Sequence, residues 1–155
     1  PVYVDAFKAL GANAVPMAWT ETLTALQQGT IDGQENPINV IHSYNIQDSN
    51  KYLTITRHAY APNIIVMSMR TWNKLTPDQQ KLIMKAAKQG AALNRKLDNE
   101  NEGKWLKELK DKGMKVEEKF DYDAFVEAVQ PVYKKYEPVY GEKLIKEIRN
   151  AAPTK

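Results

Sequence analysis

The 155-residue sequence has no cysteine, no run of about 18 apolar residues and no starting methionine. The first absence excludes disulfides and thiol chemistry and argues against a thiolate zinc site. The second leaves no candidate for a membrane-spanning helix. Because the chain opens with PVYVDAFKALG and enters an amphipathic pattern almost at once, we expect it to be a segment of a longer or processed protein.

Sequence motifs of known catalysts are absent as well. The two histidines, His42 and His58, have no metal-ligand partner four residues away, and HExxH, GxSxG, Walker and GxGxxG sequences do not occur. Asp32 and Glu35 lie three residues apart, which leaves an acid–base enzyme open as an alternative. No motif in the sequence indicates a cofactor or a metal site.

The composition is that of a chain with a real core: 43% of the residues are apolar and 26% are charged. The net charge is +3 and the pI is about 9.0. In WLKELKDKGMKVEEK, however, the lysines alternate with acidic residues, which is typical of a solvated helix face. We therefore do not expect nucleic-acid binding.

Helical and extended patterns alternate with short links, which predicts an α/β fold. The predicted strands are YLTITRH (52–58), NIIVMSM (63–69) and MKVEEK (114–119), and AVPM (14–17) is predicted as a strand or an extended connector. NIIVMSM is an almost continuous apolar run and is typical of a buried central strand. Shorter helices are predicted to begin near residues 3, 20, 37 and 141. Another amphipathic helix is predicted within residues 120–141, with a kink near Pro131.

A long helix is predicted between residues 75 and 113. Thr76 suits an N-cap, Pro77 the first helical position and Gly113 the end. About 36 helical residues would extend about 54 Å, whereas a compact chain of this length is about 40 Å across. The helix must therefore break near Gly103 or bridge two lobes.

Polar side chains in IDGQENP (31–37) follow a helix that ends at Gly29 and a short apolar entry. Taken alone, Gln34, Glu35 and Asn36 are typical of a solvent-exposed loop. Trp19 precedes a predicted N-cap at Thr20, at a strand-to-helix junction where α/β proteins bind ligands. Two roles are possible for this indole: it lines a ligand pocket, or it forms a hydrophobic staple at the start of the helix. For His58, the residues favour a hydrogen-bonded structural histidine, although its place after a strand leaves a ligand contact open.

Three stretches together resemble one known family. GANAVPMAWTETLTALQQGTIDGQENPINVI, KYLTITRH and LTPDQQKLIMKAA match, in order and spacing, the DctP-like substrate-binding proteins of tripartite ATP-independent periplasmic (TRAP) transporters. The resemblance runs from about Tyr3 to Gly141. It implies a periplasmic receptor with a two-lobed α/β fold. Such a receptor closes on a small organic acid and delivers it to the membrane subunits of the TRAP permease.

The resemblance also implies roles for two residues: Asn36 would face the ligand carboxylate and Trp19 would line the same cleft. From their positions, Gln34 and Glu35 flank that contact and could support it or bind a cation. His58, after its strand, and Asn63, at the lobe crossing, are further candidates. The family's main carboxylate-binding arginine lies before the stretch that opens this chain.

The implied organisation assigns residues 1–61 and 102–155 to lobe two. Residues 62–101 would be a strand and half of the long helix that belong to lobe one, most of which is not in this sequence. The apolar run 64–67 would then lack its partner strands and stay exposed. We expect it to associate with the missing N-terminal half or with a second copy by strand exchange. A plain interaction segment without ligand capacity remains an alternative.

Overall fold

The computed structural model describes residues 1–60 and 62–151. Ala61, the last residue of the first segment predicted for lobe two (1–61), lies outside the described residues. So do residues 152–155, the end of the second predicted segment (102–155). Within the described part the chain divides into two compact units. Unit one comprises residues 1–22 and the chain from residue 119 onward, and unit two comprises residues 23–118. The lobe boundaries implied by the resemblance remain a prediction.

Helices account for most of the regular structure. They are α1 (Val2–Ala9), α2 (Trp19–Gln27), α3 (Ile38–Ser43), α4 (Met69–Trp72), α5 (Pro77–Asp111), α6 (Tyr122–Ala128), α7 (Gln130–Tyr140) and α8 (Glu142–Ala151), and the strands are β1 (Tyr52–Thr54) and β2 (Lys115–Glu117). A short 3₁₀ turn, Ile46–Asp48, follows α3.

The long helix α5 begins and ends where its local signals predict. The Thr76 hydroxyl accepts a hydrogen bond from the Gln79 amide at 3.3 Å, and the Gln79 side chain accepts one from the Thr76 amide at 2.9 Å. This reciprocal capping box satisfies two amides of the first turn. The helix runs without a break through Gly103, so its 35 residues extend about 52 Å. Of the two expectations, the break near Gly103 is wrong.

A two-stranded parallel sheet lies in unit two. β1 and β2 pair in the register Tyr52–Lys115, Leu53–Val116 and Thr54–Glu117. Both strands were predicted, but β1 ends at Thr54, short of the expected 52–58. Arg57 adopts a positive φ of 45°, so the extended backbone does not reach His58. No strand forms at 14–17, where a strand or an extended connector was predicted.

The expected buried central strand at 63–69 is wrong for this chain. Residues 62–68 have no regular secondary structure, and Ile64, Ile65 and Val66 are exposed. A strand needs neighbours to satisfy its backbone groups, and the described residues offer it none. The exposure itself agrees with the expectation that partner strands are missing.

The core of unit two joins α2, α3 and the end of α5. Its buried apolar residues are Ala25, Leu26, Ile41, Ile46, Leu109 and Met114. Leu109 is fully enclosed, with 0% of its surface accessible. By contrast, Leu82, Leu93 and Leu97, which were expected to supply apolar contacts, are exposed along the first half of α5.

Unit one contains α1 and α6–α8. The chain breaks between α6 and α7 at Val129, instead of kinking at Pro131, because proline lacks the amide that would continue the helix. Asp5 of α1 accepts hydrogen bonds from Lys135 Nζ at 2.7 Å and from the Tyr136 hydroxyl at 2.8 Å. These contacts tie the first helix of the chain to α7.

Candidate functional site

The loop Asp32–Pro37 in unit two is held at both ends. The Asn50 side chain donates to the Asp32 carbonyl at 3.1 Å. At the other end, the Pro37 carbonyl accepts from the amides of Val40 and Ile41 at 3.0 and 3.1 Å, the first bonds of α3. The segment therefore crosses between two fixed points and presents the three polar side chains of residues 34–36.

Two of those side chains contact each other. The Asn36 amide nitrogen Nδ2 donates to Gln34 Oε1 at 2.5 Å, and both residues are half-buried. Side chains two residues apart on an extended segment project to the same side. Pro37 restricts the Asn36 backbone to extended geometry, which favours this placement.

The third side chain of the loop, Glu35, contacts His58 instead. His58 Nε2 lies 3.2 Å from Glu35 Oε2, and His58 Nδ1 lies 2.6 Å from the Thr56 hydroxyl. Since a carboxylate only accepts, Nε2 donates to Glu35. The structure thus brings together Glu35 and His58, which are 23 residues apart in sequence. Partly exposed contacts of this kind contribute little free energy, but they fix the direction of the side chains.

The remaining predicted site residues belong to other segments of the chain. Trp19 is half-buried in unit one, in the first turn of α2. The helix begins at Trp19, so this residue does not precede an N-cap at Thr20: the Ala18 carbonyl already accepts from the Thr22 amide at 3.1 Å. Asn63 is exposed in the irregular segment 62–68.

Sequence reasoning missed Thr56 and Asn50. The only signal for Thr56 was its position in the predicted strand, two residues before His58. Asn50 carried no signal, because its partner is a backbone carbonyl 18 residues earlier. Asp32 and Glu35, the acid–base alternative, share no hydrogen bond in the described part of the chain, and Glu35 is engaged by His58.

Charged contacts near the sheet shift one carboxyl group. Lys110 Nζ donates to Glu118 at 2.5 Å, and this bond lowers the pKa of the Glu118 carboxyl below its usual range. No group of three acidic or histidine residues that would hold a metal ion is found among residues 1–60 and 62–151. None of the described helices combines the length and the apolarity that crossing a membrane requires.

An open groove of about 610 Å³ lies elsewhere in unit two, between α4 and the first turns of α5. Trp72, Pro77 and Met84 line it together with Lys85 and Lys88. None of the predicted ligand contacts lines this groove. The Asp32–Pro37 loop is therefore the candidate site: it carries Gln34, Glu35 and Asn36, and His58 contacts it through Glu35.

Comparison with known proteins gives a consistent result. Residues 1–138 match the family model DctP, described as bacterial extracellular solute-binding protein, family 7. A solute-binding protein of Verminephrobacter eiseniae is 41% identical over 151 residues, which are 97% of this chain and 45% of that protein. The 2,3-diketo-L-gulonate-binding periplasmic protein YiaO of Escherichia coli is 36% identical over 129 residues, which are 83% of this chain and 39% of that protein.

Among solved structures, a TRAP periplasmic solute-binding protein from Polaromonas, bound to D-erythronate, superposes with a TM-score of 0.91 at 38% identity. The match covers 99% of this chain and 50% of that one. The chain thus spans about half the length of the relatives it matches.

Proposed function

This chain belongs to the bacterial extracellular solute-binding proteins of family 7, the receptors of TRAP transporters, and we propose that it carries carboxylate contacts of such a receptor. Its fold is part of the two-lobed α/β fold of the periplasmic binding proteins. The proposed receptor works outside the cytoplasmic membrane. It binds a small organic acid in the cleft between its lobes and delivers the acid to the TRAP permease.

The observation that carries the proposal is the anchored Asp32–Pro37 loop with the half-buried Asn36 amide. An amide N–H is a suitable donor to a carboxylate, and a hydrogen bond to a charged group is worth about 1.5–3 kcal/mol. In two of the relatives the named ligands, 2,3-diketo-L-gulonate and D-erythronate, are organic acids. Binding would shift the receptor from open to closed forms by hinge motion.

The other predicted contacts have supporting roles in this proposal. Glu35, held by His58, flanks Asn36 and offers acceptor oxygens to hydroxyl groups of a ligand. Trp19 would contact the carbon skeleton of the ligand, and Asn63 is a peripheral polar contact. Each of these assignments stands on the resemblance and is tested by its own alanine variant.

Isothermal titration tests the proposal. The full-length receptor, meaning a chain of the relatives' length that contains this sequence, is titrated with D-erythronate, 2,3-diketo-L-gulonate, D-gluconate and L-malate. We expect at least one acid to bind, and Asn36→Ala to weaken it at least about tenfold. Asn99→Ala, at an exposed position of α5, is the matched control and should bind like the parent. A folded receptor that binds none of these acids would contradict the proposal.

The same samples address the enzyme alternative. The family consists of receptors, and we propose that the acid leaves the cleft chemically unchanged. Mass spectrometry of the acid after prolonged incubation should show a single species of unaltered mass. Turnover that disappears with Glu35→Gln would instead support acid–base chemistry.

A further inference from the structure

We infer that Gln34 is a positioning residue, one that acts on the ligand through Asn36 rather than by touching it. The inference rests on the proposed carboxylate contact of Asn36. It adds that Gln34 determines whether the donor nitrogen or the acceptor oxygen of the Asn36 amide faces the ligand. An asparagine side chain ends in one acceptor oxygen and one donor nitrogen, and a half turn of the amide exchanges the two. Only the donor orientation suits a carboxylate, because an amide oxygen would repel it.

Gln34 presents its side-chain oxygen, an acceptor, to the Asn36 amide. Its Oε1 accepts from Asn36 Nδ2 at 2.5 Å, and an acceptor at that point favours the nitrogen over the oxygen of the Asn36 amide. Asn36 Nδ2 carries two hydrogens, and this contact uses one of them. The other is left for the ligand.

The surrounding loop makes this selection effective. Asn50 holds the Asp32 carbonyl, and the first bonds of α3 hold the Pro37 carbonyl. Pro37 also limits the backbone of Asn36 to extended conformations. The torsions of the Asn36 side chain are therefore the main freedom left at this position, and the bond to Gln34 restricts them before any ligand arrives. Preorganisation of this kind raises affinity by lowering the cost of ordering on binding.

The first test needs no ligand. Asn36→Ala identifies the side-chain amide signals of Asn36 in ¹H–¹⁵N NMR spectra of the 155-residue chain, because they disappear. In the parent we expect the two amide protons to differ in solvent exchange, with one protected by Gln34. Gln34→Met should remove that protection. Gln28→Met, the same change at an exposed glutamine six residues earlier, should leave it in place. Equal exchange of both protons in the parent would overturn the inference.

The second test is a double-mutant cycle on the full-length receptor, with the acid that binds in the titration above. Gln34→Met should weaken binding about five- to tenfold in the parent and have almost no further effect in Asn36→Ala. It should also lower the preference for the acid over its primary carboxamide, since a turned Asn36 amide can accept from the carboxamide NH₂. A purely structural role would leave that preference unchanged, and additive losses in the cycle would overturn the inference.

The two tests separate the inference from the proposed function. If no acid binds but the exchange pattern responds to Gln34→Met, the proposed function fails and the Gln34–Asn36 coupling stands as a property of the loop. If an acid binds and depends on Asn36 but not on Gln34, the proposed function stands and the inference fails.

Discussion

Asp5 and Tyr136 are joined across 131 residues of sequence by a 2.8 Å hydrogen bond from the tyrosine hydroxyl to the aspartate carboxylate. Lys135 donates to the same carboxylate oxygen. These bonds, chiefly the one from Lys135, lower the pKa of the Asp5 carboxyl, and the bond to Asp5 raises the pKa of the Tyr136 phenol.

The lowered pKa of Asp5 predicts a pH-dependent stability. Ionised Asp5 stabilises unit one above the ordinary pKa of 3.8, and this contribution is lost as the pH falls from there through the lowered folded-state value. Asp5→Asn should therefore melt at a lower temperature than the parent at pH 7. The difference between the two melting temperatures should shrink as the pH is lowered toward 2. Thermal melts followed by circular dichroism check this. Glu147→Gln, whose carboxylate lies 3.9 Å from Lys143 within α8, should change the melting temperature less.

Leu109 anchors the core of unit two, and its truncation should be costly. Because the residue is 0% exposed, Leu109→Ala leaves a cavity and should lower the free energy of unfolding by about 2–5 kcal/mol. Leu82→Ala is the matched control on the same helix. With 67% of Leu82 exposed, that change should stay within about 0.5 kcal/mol. Similar values for both variants in urea titrations would contradict the packing described for α5.

Gly103 lies in the middle of a helix without needing to be glycine. A methyl group there meets no atom within 4 Å, so Gly103→Ala should stabilise the chain by about 0.5–1 kcal/mol. Gly113 has a φ of +90°, which a side chain opposes, so Gly113→Ala should destabilise it by about 1 kcal/mol or more. Urea titration of both variants gives the comparison. A destabilising Gly103→Ala would mean that α5 is not continuous in solution.

The exposed apolar run 64–67 predicts association, either with the half that longer relatives possess or with a second copy. Val66 is 78% exposed, and Val66→Lys should reduce self-association of the isolated 155-residue chain. Val139→Lys changes an equally apolar, 69% exposed valine of α7 and should have little effect. Light scattering after size exclusion measures both. A monomeric parent at every concentration would argue against association with a second copy.

Local signals made the helices readable from the sequence. Thr76, Pro77 and Gly113 fix the two ends of α5 by capping and backbone preferences that need no distant partner. The family was readable too, because the order of its motifs is specific. The start of α2 was misplaced by two residues: the N-cap was expected at Thr20, whereas the Ala18 carbonyl accepts the first bond of the helix.

Distant contacts were not readable in the same way. The residues of the candidate site were named from the sequence, but the pairs they form were not. Nothing in IDGQENP states that Glu35 contacts His58, which lies 23 residues further along the chain. The run NIIVMSM shows the converse: its composition is that of a buried strand, but residues 62–68 form no strand and have no partner strand in the described part of the chain.

The unbroken course of α5 through Gly103 has a mechanical consequence. If the predicted lobe boundary near residues 101 and 102 holds, α5 belongs to both lobes and passes from one to the other without a break. Opening and closing of the receptor would then bend α5 gently, with the curvature spread over many helical turns. The sharper changes of backbone angle would then fall on the other passage of the chain between the predicted lobes, near residue 62.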